Sequence, residues 1–454
     1  MLSAVPSLSL HYVRSHCFLA GLVCVFACFF LQYSLKIRHA DQPNRSAFLR
    51  WRGQLAELSD GVNVWDKYAY PNPPIMALIL RPFHALPPFW GAATWFLCKA
   101  VLALAAIWAV LSLLDASALP FPLWGKLLAV LATLRPIEGD LVHGNVNLFV
   151  LALVVACLVA FHRKRDGIAG VLLGLAIACK LTPALFLGYF LWKRAWCTLG
   201  AATASLAAFS LILPSLFLGW QDNLTYLQSW HEQMVAPYAA GVVTSEHKNQ
   251  SLPGVLYRML SDSPSFSDYE EDRKIILDTH NIVSLPRPVI QGVIIACMGG
   301  FVALSLWHLR SGCVDRDALV LAAEFGIVVL GMLLFCERTW KHHCVTLLIP
   351  FAVSAYCVSA AGFARSLRWQ VGVPALVALL LMLLTTSGIF DRHVNSNERI
   401  GKLAQVYGAY VWAFLLLLFA MCRVLATSSL TAHRVHDAVC KNQTTDSTDD
   451  TDTK

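Results

Sequence analysis

Eleven apolar runs, most of them about 17 to 27 residues long and almost free of charge, set the terms for this chain. A run of about 18 such residues carries a helix across the hydrocarbon core of a bilayer, and within lipid only helices and closed barrels satisfy their own backbone groups. A barrel would be written in short alternating segments, and none is present. The runs are Cys17–Ser34, Phe89–Leu114, Leu119–Thr133, Asn145–Phe161, Gly167–Trp192, Trp196–Gly219, Val289–Leu309, Ala318–Phe335, Val345–Phe363, Val371–Ile389 and Gln405–Met421. Over 454 residues, 57% are hydrophobic and only 14% charged, against roughly 25% charged in an ordinary soluble domain. The sequence therefore predicts an all-α polytopic membrane protein.

The first run has Arg38 and His39 where a cleavage site would need small residues, so it reads as an uncleaved span. Gly167–Trp192 is different. It has Arg163, Lys164 and Arg165 before it, Lys193 and Arg194 after it, and Lys180-Leu-Thr-Pro183 in its middle. If both basic flanks are cytoplasmic, the run enters and returns, and Pro183 suits the break because it removes a backbone donor and disfavours helix just before it. A single kinked crossing is the alternative. With the return and a cytoplasmic N-terminus, the loops holding Arg14, Arg163–Arg165, Lys193, Arg194, Arg310, Arg316, Arg365, Arg368 and Arg423 all fall inside, as the positive-inside rule asks. The resulting layout has a cytoplasmic N-terminus (1–16), a transmembrane domain (17–425) and a polar, Thr/Asp-rich tail (426–454) expected to be disordered and cytoplasmic.

The net charge of +7 comes from 35 basic and 28 acidic residues. Because the basic clusters sit at the ends of apolar runs, they point to topology and not to nucleic acid. The 14 cysteines are scattered, many inside apolar runs, with no paired spacing of a metal or redox site.

Five polar segments fall on the outer face: 35–72, 134–144, 220–288, 336–344 and 391–402. The long outer loops 35–72 and 220–288 exceed the length of simple turns and carry Trp51, Trp65, Trp220, Tyr226 and Trp230, so chemistry is sought there. Asp41 lies just past the first span, followed by Arg45, Arg50 and Arg52; it reads as an interfacial cap or as an acid beside an anion held by Arg50. Tyr70-Pro-Asn-Pro-Pro reads as a stiff return toward the membrane. Glu138-Gly-Asp-Leu-Val-His143-Gly-Asn145-Val-Asn147 opens the fourth run and suits either sugar hydroxyls or helix capping. Lys180 is an ionisable residue near mid-membrane, a functional candidate by default; its bland reading is a pair with Glu324, the acid deep in a span. Asn249-Gln250-Ser251 is a polar triplet with no signature of its own. Glu337-Arg338-Thr-Trp-Lys-His342-His343 packs charge between two spans; adjacent histidines diverge on a helix, so a phosphate or proton contact is expected there, not a metal.

Taken in order, Tyr70-Pro-Asn-Pro-Pro-Ile-Met-Ala-Leu, His143-Gly-Asn-Val-Asn-Leu-Phe-Val-Leu, Gly170-Val-Leu-Leu-Gly through Lys180-Leu-Thr-Pro183, Asn249-Gln-Ser-Leu-Pro-Gly and Thr339-Trp-Lys-His342-His343-Cys resemble glycosyltransferase family 87 over about residues 15–425. The chain departs from the family's pattern at Asn145, at the inserted Asn72 and at Cys336-Glu-Arg. The resemblance implies a GT-C type fold with about 10–12 transmembrane helices. It also implies transfer of a hexose, expected to be mannose, from a polyprenyl-phosphate sugar to a hydroxyl of a glycolipid or glycan. Asp41 occupies the position of the general base. The resemblance further implies phosphate contacts from Arg45, Arg50, Lys180, Arg338, His342 and His343, sugar or acceptor contacts from Tyr70, Asn145, Asn147, Asn249 and Gln250, and neither metal nor other cofactor. The implied setting is a bacterial inner membrane with the site facing outward, and the partners are donor, acceptor and membrane lipid.

Two other classes compete. A transporter or flippase for a lipid-linked saccharide would show inverted repeats and mid-membrane substrate residues, whereas the polar residues here gather at one face. A non-catalytic assembly protein would be indifferent to loss of Asp41.

Overall fold

The structure is a computed structural model of the chain and describes residues 5–38, 46–270, 273–310, 312, 316–386 and 400–446. The first span is one long helix, α1 (Val5–Ile37). Ser46 starts α2 (Ala47–Leu58) by accepting the Leu49 N–H at 3.2 Å, which satisfies one of the donors a helix start leaves open. Asn63 caps α3 (Val64–Tyr68) in the same way, and proline in the first turn starts α4 (Pro74–His84). Then come α5 (Pro88–Asp115), α6 (Leu123–His143), α7 (Asn147–His162), α8 (Asp166–Cys179), α9 (Leu185–Trp192) and α10 (Trp196–Ala207). A π-helical turn, Ala208–Ile212, joins α10 to α11 (Leu213–Leu218). Pro214 cannot donate to Ser210 O, and the Asn223 amide takes that place at 3.0 Å.

The second long loop holds α12 (Trp220–Met234), α13 (Ala236–Ala239), α14 (Leu252–Leu260) and an antiparallel hairpin of β1 (Pro264–Glu270) and β2 (Arg273–Thr279), with Ser267 opposite Ile276. The remaining helices are α15 (Arg287–His308), α16 (Ala318–Leu334), a 3₁₀ stretch Lys341–Leu347 that runs into α17 (Leu348–Ser359), α18 (Arg365–Leu384), α19 (Ile400–Val406) and α20 (Ala409–Asp446).

Every apolar run falls on helix, as expected of an all-α polytopic protein, and seven helices among the described residues are long and apolar enough to cross a membrane. Three boundaries differ from the sequence reading. The segment 134–144 is not a loop: α6 continues through it to His143. The stretch after Thr427 continues α20 to Asp446, since it holds neither glycine nor proline to end a helix. The outer loop also contains strands, which the helical reading did not foresee.

Gly167–Trp192 returns. Lys180, at its turn, bonds Asn147 at the start of α7, while Phe190 on α9 lies 4.9 Å from Phe161 at the end of α7. The chain thus runs out beside α7 and comes back. Consequently α10 runs parallel to α8, and the two approach at small residues: Gly170 lies against Thr198, Ala201 and Ala202, and Gly174 against Ala202 and Ser205. A glycine every fourth residue removes the side chains that would hold the backbones apart.

α16 is apolar on every side but for Glu324 and sits at the centre, with every residue but Val320 buried. At one end of the bundle four of the segments expected to be outer meet, and the end of α18 joins them; most of 391–402 lies outside the described residues. Lys36 donates to Val142 O at 3.3 Å, Trp230 Nε1 to Pro71 O at 3.2 Å, Asn249 Nδ2 to Glu337 O at 3.0 Å and Lys341 Nζ to Thr385 O at 2.6 Å. At the other end Arg316 pairs with Asp166, and Arg423 donates to Gln370 at 2.8 Å.

Candidate active site

A buried chain of four polar side chains lies beneath the meeting of these segments. Lys99 and Asp140, both 0% exposed, form an ion pair at 3.1 Å, and Lys99 also donates to Asp140 O at 2.7 Å. The second carboxylate oxygen accepts the Asn147 amide Nδ2 at 2.8 Å and its backbone N–H at 3.3 Å. A carboxylate only accepts, so the Asn147 amide turns its NH₂ toward Asp140 and its oxygen away. That oxygen receives the ammonium of Lys180. The order Lys99, Asp140, Asn147, Lys180 therefore fixes the direction of each member, and it joins α5, α6, α7 and the turn after α8.

Lys180 and Asn147 line a cavity completed by Val150, Thr182, Met332, Leu333, Cys336, Thr339, His343 and Thr346. Lys180 is the one ammonium among these lining residues. The space beside the ammonium is about 20 Å³, room for a single water, and few competing dipoles screen the charge there.

The histidines sit at the edge of this chamber. His143 and His342 stack at 4.4 Å with rings 13° apart. Asn145 Oδ1 accepts the Val146 N–H at 2.7 Å, so its NH₂ faces His342 Nε2 at 3.1 Å and donates to it. In the neutral ring the proton of His342 is thereby placed on Nδ1. His343 Nδ1 lies 3.2 Å from Arg338 O and 3.4 Å from the Trp340 N–H, so it is held by backbone on both sides.

The remaining expected site residues divide into three groups. Asp41 and Arg45 lie outside the described residues. The positions that bracket them are placed: Tyr33 donates to Ser46 at 3.5 Å, and Gly144, at φ +76°, lies so close to Phe48 that a Cβ there would stand 3.0 Å from the Phe48 Cβ. The turn carrying His143 and Asn145 is thus pressed against the start of α2. Arg50 is exposed on α2, and Arg338 reaches Thr244 at 2.8 Å and Glu337 at 3.4 Å.

Tyr70, Asn249 and Gln250, expected to touch sugar or acceptor, are fully buried and engaged. Tyr70 lies edge-on to Trp51 and Trp65 and accepts from Asn72 at 3.2 Å. Asn249 donates to Thr244 O at 2.8 Å and Glu337 O at 3.0 Å and accepts from Ser251 at 3.1 Å and Thr339 at 3.0 Å. Gln250 donates to His247 O at 2.6 Å and Gln405 O at 2.8 Å. Beneath them Arg258 donates to five backbone oxygens, those of Ser245, Glu246, Asn249, Gln405 and Val406. The triplet fastens the outer loop to the loop before α17.

One feature went unread in the sequence, and one charge has a different partner from the one weighed there. Lys99 sits in the middle of Phe89–Leu114, and an ionisable residue inside a span was the signal. Glu324 does not pair with Lys180; it accepts from Lys193 at 2.5 Å and Tyr189 at 2.8 Å, because the return of the chain brings Lys193 back to its level.

The chain is similar to known proteins over most of its length. It is 29% identical, over 75% of this chain and 72% of the relative, to the polyprenol-phosphate-mannose-dependent alpha-(1-2)-phosphatidylinositol mannoside mannosyltransferase of Mycolicibacterium smegmatis. It is 25% identical to the Mycobacterium tuberculosis protein of the same description, over 84% of this chain and 82% of that one. Among solved structures it resembles ArnT from Cupriavidus metallidurans bound to undecaprenyl phosphate, with a TM-score of 0.37 and 12% identity over 89% of this chain and 78% of that chain. The model of glycosyltransferase family 87 matches residues 70–336, more than half of the sequence, with Lys99, Asp140, Asn147 and Lys180 inside the match, and the chain belongs to that family.

Proposed function

We propose that this multi-pass membrane glycosyltransferase moves mannose from a polyprenyl-phosphate mannose to a hydroxyl of a glycolipid. We place the reaction on the outer face of a bacterial inner membrane. The observation that carries the reading is Lys180, an ammonium aimed into a chamber of largely apolar walls by Asn147 and Asp140. Phosphate leaves with the electron pair of the broken anomeric C–O bond, and a fixed cation lowers the barrier by meeting that charge as it develops. The two mannosyltransferases to which the chain is similar depend on a donor of this class.

In this reading the acceptor oxygen attacks the anomeric carbon, the bond to phosphate breaks, and the acceptor proton passes to the Asp41 carboxylate. Attack opposite the leaving group inverts the anomeric centre, so a β-linked donor gives an α-linked product. Lys180 takes the phosphate, with His343 beside it offering its free ring nitrogen to the donor. His342, with its Nε2 occupied by Asn145, supports the site from the side. Arg45, Arg50 and Arg338 are the further positive groups we assign to the donor phosphate.

Transfer of radiolabelled mannose from polyprenyl-phosphate mannose to lipid in membranes tests this directly. The wild type makes labelled glycolipid, and Asp41→Asn at equal expression makes at least about a hundredfold less. Undiminished product from Asp41→Asn moves the base to another acid, and no product from wild type with any polyprenyl-phosphate hexose overturns the donor assignment.

A further inference from the structure

A second cavity, of about 470 Å³, lies between α2, α4 and the corner where α11 meets α12, and it shares no lining residue with the chamber around Lys180. Its volume is that of a small-molecule site. Three basic side chains line it: Arg52 from α2, and Arg81 and His84 from α4. Arg52 donates to Leu86 O at 3.3 Å through Nη2, while its Nε is buried with no partner, and both ring nitrogens of His84 are likewise buried without a partner. Arg52 Nε and the His84 ring, whose neutral form has one donor and one acceptor nitrogen, lie closed off beneath the cavity surface, so what points to a ligand is the set of side chains that surround the open volume, with two guanidinium groups among them. Asp222 and Tyr226 face the same space from α12. The wall toward lipid is the outer end of a membrane-spanning helix, where Leu216 is 75% and Phe217 63% exposed.

Guanidinium groups match phosphate oxygens two by two, and they do so best where water is partly excluded. An acid and a phenol beside them suit hydroxyls, since Asp222 can only accept and Tyr226 both donates and accepts. An apolar strip running down from the polar cavity suits acyl chains. We propose that this cavity holds the headgroup of an anionic phospholipid that carries hydroxyls, its phosphate between Arg52 and Arg81, its hydroxyls toward Asp222 and Tyr226, and its chains along Leu216 and Phe217. The site is separate from the donor chamber and takes its ligand sideways from the bilayer.

The test is lipid retention by the full chain purified in neutral detergent and read by native mass spectrometry, which needs no turnover and so stands or falls apart from the transfer reaction. Phosphatidylinositol and phosphatidylglycerol are each offered against phosphatidylcholine. The wild type retains the anionic lipids with at least about tenfold preference, equivalent to one good charge-assisted contact, and the Arg52→Gln/Arg81→Gln double variant loses that preference. Ser59→Trp fills the rim of the cavity from an exposed position at the end of α2 without removing a charge, and it lowers retention of the same lipids even if the double variant folds poorly. Equal retention of charged and neutral lipids by the wild type, or preference unchanged in both variants, overturns the proposal. Inorganic phosphate that displaces the lipid fully at matched ionic strength assigns the cavity to a soluble anion and overturns the lipid.

Discussion

Asp140 accepts the Asn147 amide at 2.8 Å and so turns the amide oxygen toward Lys180, two residues that no turn of helix connects. Asp140 is buried near the end of α6 with Lys99 as its counter-ion. The carboxylate does not reach the cavity beside Lys180, whose lining residues exclude it; it aims the amide that aims the ammonium. Asp140→Asn keeps the shape but allows the Asn147 amide to flip, presenting NH₂ to Lys180. Misplacement of a catalytic contact by about 1 Å costs about a hundredfold, so kcat is expected to fall by that order at unchanged expression. Lys99→Met alone strands a buried carboxylate and is expected to destabilise by about 3–5 kcal/mol. The double variant Lys99→Met/Asp140→Asn recovers melting temperature but not kcat, a split that a purely structural pair would not show.

Lys180 makes its case by comparison with its own conservative variant. Lys180→Met removes the ammonium from the chamber, and loss of one fixed group that meets developing charge lowers kcat by about a hundred- to a thousandfold. Lys180→Arg keeps the charge but spreads it over a wider fork, and it is expected to recover part of that loss. Steady-state transfer kinetics with varied donor check both; equal rates for Met and wild type remove Lys180 from the reaction.

Much of this was legible because it follows from local chemistry. The runs are long enough to span, and the basic flanks of Gly167–Trp192 with Lys180-Leu-Thr-Pro183 between them are enough to call for a return, which Phe190 beside Phe161 bears out in the fold. The partners of buried charges were not legible. Glu138 and Asp140 stand two residues apart in one motif, yet Glu138 pairs with Arg135 on the same helix while Asp140 turns inward to Lys99, 41 positions away. Nothing in the spacing tells these two acids apart, since helix rotation and the packing of α5 against α6 decide it. The triplet Asn249-Gln250-Ser251 offered polar side chains but no sign that backbone carbonyls would consume them.

Gly174 tests the return from another direction. A Cβ there would stand 2.0 Å from Ser205 Oγ and 2.7 Å from Ala202 O, and one at Gly170 would stand 2.4 Å from Thr198 O. Backbone cannot yield as a side-chain end can, so Gly170→Ala is expected to destabilise by about 1–3 kcal/mol through overpacking. Gly174→Leu should prevent stable folding. Gly188, with nothing within 4 Å of its would-be Cβ, tolerates alanine. Thermal melting in detergent ranks the three.

His247 gives stability a pH dependence. Burial pushes its imidazole down to about 4, and the positive charges of Lys248, Arg258 and Lys402 press the same way against a bond to Ser265 O. The unfolded chain holds this histidine near the ordinary value of about 6.5, so between the two values the unfolded state binds the extra proton. Stability is full above about pH 6.5, falls as the pH is lowered toward 4, and levels off below that. His247→Leu is expected to make the drop in melting temperature between pH 7 and 4.5 shallower. An unchanged slope assigns the drop to other groups.

Lys193 and Glu324 provide a pair far from the chamber. Their side chains are 3% and 0% exposed and meet at 2.5 Å near the end of the bundle opposite the site, with Tyr189 bonded to the same carboxylate. Loss of the Glu324 carboxylate takes a buried acceptor from both Lys193 and Tyr189, whereas replacing both members of such a pair with apolar groups of similar volume is often neutral or stabilising. Glu324→Leu is therefore expected to destabilise by about 3–5 kcal/mol, and Lys193→Met/Glu324→Leu to return most of that. Because the pair belongs to the packing of α9 on α16 and not to the proposed donor site, the double variant is expected to keep the donor KM of the wild type. A rise in donor KM of tenfold or more in that variant, at restored melting temperature, would show that the two ends of the bundle are coupled through α16.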